Sequence, residues 1–209
     1  MWESRSPPDL EIEGPRSFTP PGLSWFAFGQ RGEIAVTRMP HINAAALLVR
    51  DVEDLARFSK EYEGKNGEGL FARATIIMAV IALEHFVDLH LERVGDGKKK
   101  EELKRAIQEQ KTNGKTDTGL AAKWYVIAGH FGAWFKVDVP PFVDFAELVK
   151  IRNRLVHLSQ KQLRSRVSGG APQLLVSVNA NKAEWACKIM KAMIGGFYNL
   201  VGRPAPDWI

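Results

Sequence analysis

The stretch that decides the fold is Phe142 to His157, FVDFAELVKIRNRLVH, which directly follows Pro140 and Pro141. Because consecutive prolines end a preceding helix or strand, a new element is expected to begin here. The apolar residues then recur at three- and four-residue spacing, which predicts a helix over residues 142–157. At about 100° per residue, the apolar side chains lie within roughly 60° of Arg152 on the helix surface. They are Phe145, Leu148, Val149, Leu155 and Val156.

Arg152 therefore lies in the middle of the apolar face of this helix. An unpaired buried charge is costly, so its guanidinium is expected to meet a carboxylate, a phosphate or a subunit interface. Asn153 and His157 are four residues apart and follow one flank of the same face. The helix alone therefore groups three polar side chains that are able to act on a phosphodiester without a metal ion.

Residues 148–159, LVKIRNRLVHLS, resemble the R-N-x-x-x-H signature of HEPN (higher eukaryotes and prokaryotes nucleotide-binding) domains. The order of elements is similar too, and the resemblance extends from about Asn43 to Val201. It implies a mainly α fold, a HEPN-like antiparallel helical bundle that forms a homodimer through its motif helices. Such domains are often metal-independent endoribonucleases, some of them in toxin-antitoxin or defence systems. Others are inactive nucleotide-, RNA- or protein-binding modules, which is the alternative for this chain.

The resemblance and the side-chain chemistry together give roles to the three motif residues. His157 is expected to take a proton from a ribose 2′-hydroxyl, because histidine changes charge near neutral pH. Arg152 is expected to form bidentate hydrogen bonds to the phosphate, and Asn153 to hold a phosphate oxygen or the imidazole tautomer. The products would be a 2′,3′-cyclic phosphate and a 5′-hydroxyl. The alternative for His157 is a helix-terminal histidine that interacts only with the helix dipole.

One histidine cannot easily serve as base and acid in a single step, so a second His157 across a dimer two-fold axis is expected to complete the site. Glu84 is a further candidate catalytic residue, because it lies within the apolar face of a long helix predicted from Phe71 to about Val94. We predict that Glu84 pairs with Arg152 and orients it, with Asp88 as the reserve partner. The alternative is an ion pair that only fixes the register of the two helices.

Four basic residues near the motif are candidate contacts for an RNA backbone: Arg154, Lys161, Arg164 and Arg166. The last three fall on the first strand of a predicted β-hairpin, with strands over residues 161–167 and 173–178. Their near-alternate spacing suggests a basic rim close to His157. The alternative is an ordinary solvated hairpin face.

The remaining sequence predicts one domain preceded by a short arm. Residues 1–22 are proline-rich and are expected to be extended or disordered, and residues 23–209 to form a single domain that begins with a β-hairpin over residues 23–39. Asn181 and Glu184 resemble a capping box that starts the last helix. The other helices are predicted over residues 43–63, 98–111 and 118–131.

Composition limits the classes of function that remain. A net charge of +5 in 209 residues favours a polyanionic partner, here RNA, and an antitoxin protein is a second possible partner. The single cysteine, Cys187, excludes an internal disulfide and a cysteine-based zinc site. The other histidines lack metal-ligand spacing, so no cofactor or metal is expected. The absence of a long charge-free apolar run and of a signal-peptide pattern predicts a soluble, cytoplasmic protein without a membrane partner.

Overall fold

The computed structural model describes residues 44–113, 116, 118–132, 134–157 and 173–209, which form seven helices and contain no strand. All of them lie within the compact unit Pro40–Ile209. The predicted arm, the N-terminal hairpin and residues 161–167 lie outside the described residues. The helices are α1 (Ala44–Glu61), α2 (Glu68–Glu92), α3 (Gly97–Asn113), α4 (Gly119–His130), α5 (Phe142–Val156), α6 (Gln173–Val176) and α7 (Ala180–Leu200).

The mainly α fold is confirmed, and the five longer helices before α6 begin and end within three residues of their predicted bounds. The predicted strand over residues 173–178 is wrong, because Gln173–Val176 is the single-turn helix α6. Helical spacing explains the difference. Leu175 and Val178 are three residues apart and both pack against the core, whereas a strand would point them to opposite faces.

Helix α2 is the centre of the bundle and packs against α1, α4, α5 and α7. It runs parallel to α7, since Ala180 meets Glu68 at one end and Phe197 lies 5.4 Å from Phe86, between ring centroids, towards the other. By length and composition alone α2 is apolar enough to cross a membrane, but half of its most apolar window is buried inside the bundle. An apolar helix surrounded by other helices is what a soluble core requires as well.

An aromatic cluster holds α2, α4, α5 and α7 together around Trp124, which is fully buried. Its indole stacks on Phe86 with the ring centroids 5.5 Å apart and the planes 8° from parallel. Phe145 of α5 and Phe197 of α7 meet the same indole at 5.9 Å and 6.1 Å. Aromatic side chains of three other helices therefore contact the Trp124 indole of α4, and this contact positions α5.

Adjacent glycines in α7 allow two close contacts. A Cβ atom at Gly196 would lie 3.4 Å from the ring of Phe135, and one at Gly195 would lie 3.7 Å from Ile209. The absence of side chains lets the segment before α5 and the end of the chain approach the backbone of α7 from two sides.

The N-terminus of α7 is capped two residues earlier than predicted. The side chain of Asn179, not Asn181, accepts a hydrogen bond from the backbone N–H of Lys182 at 3.1 Å. Glu184, the expected second half of a capping box, instead pairs with Lys188 one turn later at 2.6 Å. Starting the helix at Ala180 places that residue's N–H within reach of Glu68.

Glu68 ties two distant parts of the chain together. Its Oε2 accepts from the N–H of Gly64 at 2.8 Å, and its Oε1 accepts from the N–H of Ala180 at 2.9 Å. The bond to Ala180, followed by the bond to Gly64, lowers the pKa of the Glu68 carboxyl. A single carboxylate thus links the turn before α2 to the start of α7.

Replacing Glu68 with glutamine is expected to lower the melting temperature at pH 7 and to lower it less at pH 3. A carboxyl whose pKa is lower in the folded state stabilises the protein above the unfolded value of 4.5, and this contribution disappears as the pH falls through the folded pKa. Thermal unfolding at both pH values measures the difference. Glu61→Gln, an exposed carboxylate seven residues earlier, is the control. Equal shifts for the two variants would contradict the assigned role of Glu68.

Candidate active site at the end of helix α5

The apolar face of helix α5 packs at the aromatic cluster, and this contact positions the motif at the C-terminal end of the helix. Phe142, Phe145 and Leu148 are buried in its first half. The second half carries Arg152 on the same face, as predicted, and ends near the surface, where Val156 is 48% exposed. The apolar face of α5 therefore stays in the core up to Leu155 and leaves it at Val156, next to the exposed His157.

Arg152 is half-buried and donates a hydrogen bond to the side chain of Asn153, its neighbour in the sequence. Its Nη1 donates to Oδ1 of Asn153 at 3.0 Å, while its Nε is buried without a hydrogen-bond partner. Among the described residues, the guanidinium has an amide partner and no carboxylate. A half-buried cation in this state retains unused donors and uncompensated charge, and both favour an anionic ligand.

His157 ends the helix. Its backbone N–H donates to the carbonyl of Asn153 at 2.9 Å, and the residue has left the helical conformation, with φ −111° and ψ 53°. Its side chain is exposed. The structure therefore brings Arg152 and Asn153 into direct contact and places His157 on the next turn, open to solvent.

The predicted ion pair between Glu84 and Arg152 is wrong within the described residues. Glu84 and Asp88 both pair with Lys123 of α4, at 3.8 Å and 2.9 Å. The packing of α5 explains this result. Phe145 meets Trp124 at the aromatic cluster, whereas Arg152 is seven residues further on, about 10 Å along the helix.

Lys123 is a residue that the sequence reasoning missed. It is the only charged residue between Gly119 and Ile127 in the otherwise apolar α4. A lysine in such a helix needs a carboxylate, just as Glu84 does, so this isolated charge was the available signal. Glu84 is therefore not part of the group around Arg152.

The basic residues proposed for RNA backbone contact are only partly described. Arg154 is exposed and its Nη2 lies 3.0 Å from Oε1 of Glu147, on the face of α5 opposite Arg152. Lys161, Arg164 and Arg166 lie outside the described residues. Within the described ranges, no group of three or more histidine, cysteine, aspartate or glutamate side chains is arranged to hold a metal ion.

Replacing Arg152 with methionine is expected to leave the free energy of unfolding within about 1 kcal/mol of the wild-type value. Methionine keeps the apolar stem of the side chain and removes a half-buried charge that has no carboxylate partner in the part of the chain that the structure describes. Lys123→Met is the matched comparison, and it should cost about 1–2 kcal/mol because it leaves Glu84 and Asp88 unpaired. Urea denaturation measures both. A larger loss for Arg152→Met than for Lys123→Met would mean that Arg152 is mainly structural.

In comparisons with known proteins, the chain matched no family model, no curated protein and no solved structure.

Proposed function

We propose that this chain is a HEPN-like domain that acts as a homodimeric, metal-independent endoribonuclease. The observation that carries the proposal is the state of Arg152: half-buried, bonded to Asn153, and without a carboxylate among the described residues. A phosphodiester would supply the missing negative charge and accept the unused N–H groups. The exposed His157 on the following turn would then lie beside the same phosphate.

The proposed reaction is an internal transfer at phosphorus. The 2′-oxygen of the ribose attacks the adjacent phosphate and gives its proton to His157, while the bond from phosphorus to the 5′-oxygen breaks. A second acid protonates the departing 5′-oxygen. The products are a 2′,3′-cyclic phosphate and a 5′-hydroxyl, and Arg152 stabilises the charge that accumulates on the phosphate oxygens.

We assign the second acid to the His157 of another copy of the chain. The exposure of Val156 supports a dimer at this end of α5, because this residue lies on the apolar face of the helix and yet is not covered. Two copies related by a two-fold axis would bring their motif helices together and cover both valines. One histidine then serves as base and the other as acid.

The net charge of +5 is consistent with an RNA substrate held by its phosphates. Toxicity to the cell and control by an antitoxin protein belong to the same proposal, as does a cytoplasmic location. They rest on the resemblance of the motif alone.

A second candidate function is a catalytically silent HEPN-like module that binds RNA, a nucleotide or a protein and dimerises. The observation in its favour is the side chain of His157, for which the described residues provide no hydrogen-bond partner to fix the ring. General bases are usually oriented by a second group. In this module Arg152 would bind an anion, and no proton would be transferred.

The experiment that tests the proposal is incubation of the purified protein with mixed tRNA and single-stranded RNA at neutral pH in excess EDTA. The expected result is cleavage that leaves 2′,3′-cyclic phosphate and 5′-hydroxyl ends, identified by end-labelling and mass spectrometry. Linear 3′-phosphate or 3′-hydroxyl ends formed directly would contradict the mechanism. RNA binding without cleavage by a folded dimer would favour the silent module.

A further inference from the structure

A second polar site lies where α2, α4 and α7 end. It is a pocket of about 90 Å³. Most of its lining side chains are aromatic, and those with ionisable groups are His90, Tyr198 and Arg203. The lining residues are His90, Phe131, Phe197, Tyr198, Val201 and Arg203.

The imidazole of His90 is held in one orientation. Its Nδ1 lies 2.8 Å from the carbonyl oxygen of Phe86, one turn earlier in α2, and must carry the proton to donate to it. The ring is also packed between Phe86 and Phe197, at centroid distances of 4.4 Å and 4.7 Å. Nε2 is therefore the nitrogen left for a ligand in the pocket that His90 lines.

The turn at the C-terminus of α7 brings Arg203 to this pocket. Gly202 adopts a left-handed conformation with φ 66°, and the N–H of Arg203 bonds back to the carbonyl of Tyr198 at 2.9 Å. This arrangement is a Schellman motif, which terminates the helix and turns the chain back. Glycine is the residue that adopts this φ without strain, so Gly202 allows the turn that positions Arg203.

The charges around His90 are of one sign. Burial lowers the pKa of His90, its bond to Phe86 raises it, and the positive charges of Arg93 and Arg203 lower it further. The titratable groups that face it from the surrounding elements are Arg93 on α2, Tyr198 on α7, Arg203 after it, and His130 at the end of α4, whose ring meets Phe131 at 5.1 Å. None of these is a carboxylate.

We propose that this pocket binds the phosphate group of a phosphate monoester, with Arg203 and Arg93 supplying charge and His90 a hydrogen bond through Nε2. The C-terminal ends of α2, α4 and α7 carry partial negative charge here, so the cations are needed to make the site attractive to a dianion. Arg203 lines the pocket, and Arg93 is close enough to lower the pKa of His90. The volume of about 90 Å³ leaves room for one tetrahedral group next to the imidazole. The phosphate would be either free in solution or the terminal phosphate of an RNA strand.

Binding of the dianion is linked to protonation of His90. The neutral ring presents a lone pair at Nε2, which repels an anion, whereas the protonated ring presents an N–H donor. The dianion therefore binds more tightly as the pH falls, and by reciprocity it raises the pKa of His90. This site is separate from Arg152, so it does not depend on RNA cleavage.

Sulfate tests the linkage, because it remains a dianion over the whole range in which histidine titrates. Isothermal titration of the full chain with sulfate is expected to give about tenfold tighter binding at pH 5.5 than at pH 7.5. In NMR titrations of the histidine ring signals, sulfate should shift the midpoint of His90 upward. His90→Gln should remove the pH dependence, and Arg203→Ala should weaken binding about tenfold at both pH values.

The matched control is Arg105→Ala, which removes the same charge from the exposed face of α3 and should leave sulfate binding unchanged. Equal losses for Arg203→Ala and Arg105→Ala, or an unshifted His90 midpoint, would overturn the proposal. Circular dichroism shows whether each variant is folded, and the NMR readout on the wild-type chain needs no variant at all.

Two further ligands distinguish the sources of the phosphate. A short RNA oligonucleotide with a 5′-phosphate is compared with the same strand with a 5′-hydroxyl, in a chain that also carries His157→Ala so that no cleavage intervenes. A preference for the phosphorylated strand that Arg203→Ala abolishes would assign the pocket to RNA ends. Binding of inorganic phosphate without that preference would assign it to a small phosphorylated molecule. Failure to bind either phosphate or sulfate would contradict the site, whatever the outcome of the cleavage assay.

Discussion

Replacing His157 with alanine is expected to reduce the rate of RNA cleavage by about 10²–10⁴-fold, the range attributed to a general acid–base group. The loss should be at the upper end if each active site uses the histidines of two protomers, because the variant then removes base and acid together. Initial rates with a fluorogenic oligoribonucleotide at pH 7 measure it. Because the side chain is exposed, stability should change by no more than about 0.5 kcal/mol.

His130→Ala is the matched control, since His130 is also an exposed histidine at the end of a helix. It should leave the rate of cleavage unchanged. Light scattering and circular dichroism on both variants establish that neither the dimer nor the fold is lost. Wild-type rates in a folded His157→Ala dimer would remove His157 from the mechanism and leave the binding module as the leading interpretation.

Replacing Trp124 with alanine is expected to lower the free energy of unfolding by about 3–5 kcal/mol. The indole is fully buried and is shared by Phe86, Phe135, Phe145 and Phe197, so its removal leaves a cavity bordered by four rings that cannot all move inward. For a domain of this size, such a loss is a large part of the total stability. Urea unfolding followed by far-ultraviolet circular dichroism measures it.

Trp124→Phe separates the aromatic contact from the indole N–H. The Nε1 of Trp124 is buried without a hydrogen-bond partner among the described residues, so phenylalanine removes an uncompensated polar group along with some packing. The cost should therefore be less than half that of alanine. If phenylalanine were as destabilising as alanine, the indole N–H would have to make a favourable interaction, and the stacked geometry would not be the source of the stability.

The helices could be predicted because their apolar residues recur at helical spacing, and the burial of α5 up to Leu155 follows from that spacing alone. The placement of Arg152 on the apolar face and beside Asn153 belongs to the same local geometry. The partner of Glu84 could not be predicted in this way. It depends on the position of α5 along the axis of α2. The aromatic cluster around Trp124 determines this position through contacts between residues distant in sequence.

Short elements show the same limit. The spacing of residues 173–178 did not distinguish a strand from a single helical turn, because the segment is too short for a period to emerge. Asn179 and Asn181 are chemically equivalent caps, and the position of Glu68 relative to Ala180 favours the first. The proposed role of His90 in an anion site could not be predicted either, because it depends on Arg203, which is 113 positions further along the chain.

The bond between Glu68 and Ala180 also has a consequence for biosynthesis. The two residues are 112 positions apart, so a ribosome that adds about 5–20 residues per second needs about 6–22 s to deliver Ala180 after Glu68. Helices form within about a microsecond, and α1 can cover one side of α2 as soon as both have emerged. The side of α2 that α7 covers remains exposed to solvent until α7 has been translated. This interval is when nascent-chain chaperones would engage the protein.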